Sequence, residues 1–370
     1  MMSGWLCGKG GNNGPIGNQP SPNQKPKDIL SQAQKHFQFV FNELKQPILS
    51  VNMESIFEII NQSNQSNQKS FNEKIKYAYI QYRIGDKKSQ QKVEKWMVDN
   101  QQLFEQHFKS IILNTQNPKN NEEYIGYYIY LALSLNLVNQ DEINKYFKQY
   151  LKYSVISLLT KLNFLEVTKK YPKTFEIIKT HFSDNFNDYC NELNTVNFSP
   201  LSRSIIIDKL MLAITLKEIN PDQWKNHNWK PKALQELKTL LSVSLPAPDQ
   251  NNLFFFFANF NQRFIVIYLW QKLYPHEVPD CIENWFKAYL KVSENCMNNL
   301  ELSQYTSPTI IFISLCFHQK ICKKARQWTK NLKNHISKSK EILTKDSIKY
   351  QVISAFDSFI LFSDFFNFNT

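Results

Sequence analysis

Cys316, His318 and Cys322 form a C-x-H-x-x-x-C group. Thiolates and an imidazole are zinc ligands. A closed zinc site, however, needs four ligands, and this spacing resembles no common zinc site. On a helix the three side chains would point in different directions, so they are read as helix residues. The seven histidines are His36, His107, His181, His227, His276, His318 and His335, and they are scattered along the chain. No HExxH, GxSxG, Walker or kinase pattern occurs. The acidic pairs Glu122-Glu123 and Asp141-Glu142 stand where helices are expected to begin, and there they complement the helix dipole. No acid, base, nucleophile and phosphate-cradling groups converge. The expectation is a protein without catalytic residues, cofactor or metal.

The chemistry therefore depends on what the chain builds. At 370 residues it is long enough for two globular domains or one solenoid. Hydrophobic residues make up 42% and charged residues 21%, which argues for a folded chain. The eight glycines lie mostly before Gly17, which disfavours a turn-rich β fold and a Gly-rich phosphate loop. Twenty-eight phenylalanines and 17 tyrosines supply the bulk of a helical core. The net charge of +12 fits an acidic partner or a solvated lysine surface. The lysines are spread along the sequence and do not cluster, which favours the solvated surface and disfavours nucleic acid. Six cysteines without paired spacing fit a reducing, cytoplasmic setting. No apolar run approaches a membrane span, and the N-terminus lacks a signal-peptide core.

Helical periodicity recurs after residue 28. Phe186, Tyr189, Cys190 and Leu193 stand at i, i+3, i+4 and i+7, one face of a helix. A break at Asn197–Pro200 precedes a helix carrying Ile205, Leu210, Leu212, Ile214 and Leu216. Leu234, Leu237, Leu240 and Leu241 mark the next. The apolar run from Leu253 to Leu273 is too long for a strand and apolar nearly all round, so it predicts a helix buried on most sides. Residues 28–44 form the first helix, with Asp28 as its cap. The tract 61–70, NQSNQSNQKS, reads as a flexible loop. A helix over 71–82 ends with Gly85 at its C-cap. Single helices are expected over 89–115, 120–138, 141–153 and 155–170, and more over 279–299, 305–322, 323–340 and 345–366. Helix pairs recurring at roughly 35–45 residues are the period of armadillo or HEAT arrays. The expected fold is all-α, a right-handed helical-repeat solenoid over 28–370, preceded by an extended Gly/Asn/Pro-rich arm over 1–27. The apolar tail with Phe356, Phe359, Phe362 and Phe366 is expected to pack on the solenoid or on a partner.

Several segments resemble the calcium-binding protein 39 (morula protein 25) scaffold family. They are Trp5 to Lys9, Pro26 to Ile29, Arg83-Ile84-Gly85, Val93-Glu94, Leu103-Phe104, His181-Phe182, Phe186 to Leu193, Asn197-Phe198, Arg203-Ser204-Ile205 and the phenylalanines 254, 257 and 260. The resemblance runs over about residues 5–300 and stops before the aromatic tail. It implies a non-enzymatic adaptor that holds a kinase or pseudokinase on a concave face. The implied partners are a sterile-twenty-type kinase or a liver-kinase-B-type pseudokinase complex.

The family also takes a Trp- and Phe-containing peptide into a pocket, and by position that region would comprise Phe198, Arg203, Lys238 and Lys287. Phe198 replaces a tyrosine, Arg203 matches after a one-residue shift, and Lys238 replaces a methionine. The alternative is a structural subunit of a cytoskeletal or ciliary, microtubule-associated assembly. The long arm, the altered pocket and the positive charge favour it. The implied location is cytoplasmic, cytoskeletal or ciliary.

Overall fold

The structure is a computed structural model that describes residues 42–43, 45, 49, 51–63, 67–113, 122–151, 158–195, 203–245, 253–275, 277–299, 333 and 360. Among them every regular element is a helix and there is no strand, so the chain is all-α there. Fourteen helices are described. They are α1 (Met53–Ser63), α2 (Asn67–Ile84), α3 (Lys87–Asp99), α4 (Gln101–Leu113), α5 (Glu122–Ser134), α6 (Gln140–Tyr150) and α7 (Leu158–Thr168). The rest are α8 (Pro172–Asp184), α9 (Phe186–Thr195), α10 (Arg203–Ile219), α11 (Pro221–Lys225), α12 (Lys230–Ser242), α13 (Leu253–Leu273) and α14 (Asp280–Asn299).

Local signals account for many of the ends. Asp86 caps α3 by accepting from the Ser89 amide at 2.9 Å. Asn139 caps α6 by accepting from the Asp141 amide at 2.8 Å. Pro172 and Pro221 open α8 and α11, where a missing amide proton costs nothing. After α5, Asn136 adopts a positive φ of 49°, and Leu137 donates its amide to the Ala132 carbonyl. This closes the helix with a left-handed residue that asparagine tolerates. Gly85 follows α2 as expected, but for a steric reason. A Cβ there would stand 2.3 Å from the Gln81 carbonyl oxygen and 2.9 Å from the Ser89 Cβ.

Two expectations are corrected. The polar tract 61–70 is not one loop: α1 runs to Ser63 and α2 starts at Asn67. Asn61 and the buried Ser70 meet across the junction at 2.8 Å, which gives these polar side chains a helical role. The stretch 89–115 is two helices, broken at Asn100. The Asn100 side chain and backbone amide both donate to the Trp96 carbonyl, which ends α3. Of the expected helices over 28–44 and beyond 305 only residues 42–43, 333 and 360 are described, all helical; the cap Asp28 and the Cys316, His318, Cys322 group lie outside the described residues.

The principal packings form two series. In one, α2 packs on α5, α5 on α7, α7 on α10 and α10 on α13. In the other, α4 packs on α6, α6 on α8, α8 on α9, and α12 on α14. Short links join the series, as α2 to α3, α7 to α8 and α13 to α14. The first series is buried on most sides. On α13 Phe256, Phe260, Phe264, Val266, Leu269 and Trp270 are all covered, as its apolarity predicts. Phe256 stacks on Phe260 at 6.1 Å, Phe264 meets Phe260 tilted at 5.8 Å, and Phe260 also stacks on Trp285 of α14 at 4.9 Å. The side chains of Phe254 and Phe257 lie outside the described residues. The second series is amphipathic: α9 buries Phe186, Tyr189, Cys190 and Leu193, the face read from the sequence. Ile360, the described residue of the aromatic tail, is wholly buried in the same core.

Candidate protein-binding surface

Three buried polar contacts fix the helices that carry the expected site. Lys209 of α10 is 4% exposed and places Nζ 3.1 Å from Oε1 of the buried Glu236 on α12. Arg263 of α13 is wholly buried. Its Nη2 donates to the Val243 carbonyl at 3.0 Å, its Nε to Leu240 at 3.4 Å and its Nη1 to Asn259 at 3.3 Å. The first two carbonyls lie at the C-terminal end of α12, which a cation complements. Trp229, buried before α12, donates its indole N–H to the Leu193 carbonyl of α9 at 3.2 Å, and Lys232 reaches the Asn194 carbonyl. α12 is thus held to α9, α10 and α13.

Of the four expected site residues, the structure places two in the open. Lys238 on α12 and Lys287 on α14 are exposed, on helices that pack together. Lys238 is close enough to Cys281 of α14 to lower its thiol pKa slightly, although burial dominates and pushes that thiol up. Lys287 stands 3.9 Å from Glu283, one turn away. Among the described residues Lys238 stands on an open helix face. Arg203 opens α10, with its side chain outside the described residues; Phe198 also lies outside them.

His181 and Phe182 are positioned by α9. The His181 Nε2 lies 3.0 Å from the Tyr189 hydroxyl, and Phe182 stacks on Tyr189 at 4.8 Å. Burial, then Lys161, keep His181 below the ordinary imidazole range. Burial pushes the Cys190 thiol up to about 11, so it is not a thiolate at neutral pH. Burial also raises the carboxyl of half-buried Asp208 to about 6. Among the described residues no cluster of His, Cys, Asp or Glu could hold a metal, and no helix is long and apolar enough to cross a membrane.

A further surface was not legible in the sequence. The α2–α3, α5–α6 and α7–α8 turns converge on one edge of the helix stack. Tyr171, between α7 and α8, shares a 2.7 Å hydrogen bond with Ser134 at the end of α5. It is also near enough to Tyr82 to contribute, after burial and Glu94, to raising that phenol. Arg83 lies over the Tyr130 ring of α5 at 5.0 Å and the Tyr79 ring at 5.8 Å. Lys87 and Lys88 follow Arg83 in the α2–α3 corner, and Lys170 and Lys173 stand beside Tyr171 in the α7–α8 corner, all exposed. Lysines more than eighty residues apart in sequence are thus carried on turns at the ends of helices that stack in one series. The one advance signal was the acid-free run Lys169-Lys170-Tyr171-Pro172-Lys173.

No family model, curated protein or solved structure matches this chain.

Proposed function

We propose that the chain is a non-enzymatic scaffold, a helical-repeat solenoid of the armadillo or HEAT kind that holds a protein partner. The observation that carries this is the packing order: the principal contacts join helices close in chain order, in two parallel series. A solenoid has this property because each repeat touches only its neighbours. Such a stack presents a long face, and binding is its usual output. The first series is buried on most sides, so the face left for a partner is the flank of the second series, where Lys238 and Lys287 stand. The resemblance to the calcium-binding protein 39 family makes the partner a sterile-twenty-type kinase or a liver-kinase-B-type pseudokinase complex.

The test mixes the purified chain with such kinase and pseudokinase domains and follows complex formation by size-exclusion chromatography. A stoichiometric complex, weakened by Lys238→Glu with Lys287→Glu, supports the reading. Absence of any complex across the panel overturns the kinase assignment. The second reading, a structural subunit of a cytoskeletal or ciliary assembly, is favoured by the charge of +12 and by the lysine-bearing edge. Co-sedimentation with microtubules separates it from the first.

A further inference from the structure

We propose that the edge formed by the α2–α3 and α7–α8 turns, with Lys87, Lys88, Lys170 and Lys173 around Tyr82 and Tyr171, binds an acidic, extended segment of a partner protein. The inference deepens the protein-binding reading by assigning the partner's chemistry, and it places the contact away from Lys238 and Lys287.

Charge comes first. The α7–α8 corner, 168–175, contains three lysines and no acid. At the α2–α3 corner Asp86 is occupied in capping α3, where the Ser89 hydrogen bonds hold its carboxyl below the usual range. Glu94 of α3 is close enough to Tyr82 to contribute, after burial, to raising its phenol. The balance at the edge is cationic, and the four lysine heads are in solvent. Ring chemistry comes second. Tyr82 and Tyr171 are half-buried, so each presents part of a rigid aromatic surface beside the cations. Tyrosine beside arginine, here Arg83 over the Tyr130 ring, is the composition of protein-binding hot spots, and the lysines add charge around it.

Dimensions come third. The two corners are two helix spacings apart, about 20 Å at 8–10 Å per pair. An extended chain rises about 3.3 Å per residue, so about six residues bridge them. An acidic stretch of that length places carboxylates at both lysine pairs.

The same observations disfavour other polyanions. Further along the edge the positive charge is cancelled, because Lys225 pairs with Asp222 at 2.9 Å and Lys230 with Glu277 at 2.5 Å. A nucleic acid tracking the edge would lose its cations after two corners. An anionic membrane would need apolar anchors beside the lysines. Among the described residues the large exposed apolar side chains are Val98 and Leu103, at the opposite end of α3, about 20 Å away along a helix rising 1.5 Å per residue.

The test is fluorescence anisotropy with a labelled peptide of alternating Glu and Gly, about twelve residues long to span the corners. Expected is saturable binding that Lys170→Glu with Lys173→Glu weakens at least about tenfold, and that about 0.5 M salt abolishes by screening. The substituted positions are exposed, and circular dichroism confirms that the variant keeps its helices. Lys225→Glu, at a lysine already paired with Asp222, leaves peptide binding unchanged. The proposal is overturned if the peptide does not saturate, if the Lys170/Lys173 variant binds it equally well, or if an oligothymidylate of matched charge or phosphatidylserine vesicles bind more tightly. A kinase complex that survives the Lys170/Lys173 variant, with no peptide binding, removes the edge and leaves the scaffold reading standing.

Discussion

Lys209 and Arg263 are both buried cations, on helices that pack against each other, and they are accommodated in opposite ways. Lys209 faces a carboxylate: its ammonium is a compact point charge, and Glu236 answers it at 3.1 Å. Arg263 turns a planar fork of donors on backbone carbonyls, two of them at the end of α12. One contact is a charge pair between two side chains. The other is a helix cap delivered from a neighbouring helix. The lesson is that α12 is clamped twice, at its middle by charge and at its end by hydrogen bonding.

The largest effect is expected from removing one side of the charge pair. Glu236→Ala withdraws the carboxylate from a buried ammonium, and breaking a buried pair this way costs about 3–5 kcal/mol. The double change Lys209→Met with Glu236→Leu removes both desolvated charges, and it is expected within about 1 kcal/mol of the parent, or above it. Urea unfolding of the three proteins checks this. A single substitution that costs no more than the double would show that the pair is solvated, and the contrast with Arg263 would collapse.

Arg263→Met should come next. It leaves carbonyls at the end of α12 without their donor, each worth about 1–3 kcal/mol when buried and unsatisfied, for an expected loss of about 2–4 kcal/mol. Arg263→Lys should recover less than half of it, because one ammonium cannot reproduce the fork. Hydrogen exchange should show faster opening at the C-terminal end of α12 in the methionine variant, whereas Glu236→Ala should loosen the middle of that helix. If both variants loosen the same amides, the two clamps are one.

Neither clamp was legible in the sequence, and the reason is physical. Periodicity reports which face of a helix is apolar, so the buried face of α9 and the full extent of α13 were readable from residue types alone. A charge inside an apolar run reports only that a partner is needed. Arg263 lies inside LFFFFANFNQRFIVIYLW, but two of its carbonyl partners are 23 and 20 residues away on the neighbouring helix end. Asn100 was hidden for a related reason. Its capping works through its own side chain on Trp96, within a pattern that otherwise reads as one helix. Among the expected site residues, substitution type marked Lys238 as unusual, and burial, which sequence does not give, placed it in solvent.

Asp208 sharpens the comparison because it is the residue before Lys209 and is also partly desolvated. Burial raises its carboxyl to about 6, above the ordinary aspartate value. The folded state therefore holds this proton more tightly than the unfolded chain. Stability from this group is fully present below about pH 4 and is lost as pH rises through about 6. Asp208→Asn removes the ionisation. It should stabilise the protein by about 1–2 kcal/mol at pH 7.5, a value reduced for partial solvent contact, and by almost nothing near pH 4. Unfolding curves at the two pH values test it. An equal effect at both would mean that shape, and not charge, decides at this position.

The smallest effect on stability is expected at the exposed pair, and it completes the contrast between buried and solvated cations. Lys238 and Lys287 keep their ammonium groups in water, so reversing them removes no buried contact. Lys287 does lie 3.9 Å from Glu283, but an exposed pair at that distance on one helix contributes only about 0.3–0.5 kcal/mol. The double variant Lys238→Glu with Lys287→Glu should therefore unfold within about 0.5 kcal/mol of the parent. The same two changes place negative charge on the face proposed for the kinase or pseudokinase, where a mismatched charge lowers the association rate more than it raises dissociation. Surface plasmon resonance of the variant against a captured kinase domain should show slower association that depends on salt. A large loss of stability would instead place these lysines among the structural cations with Lys209 and Arg263, and the α12–α14 flank would lose its standing as a free surface.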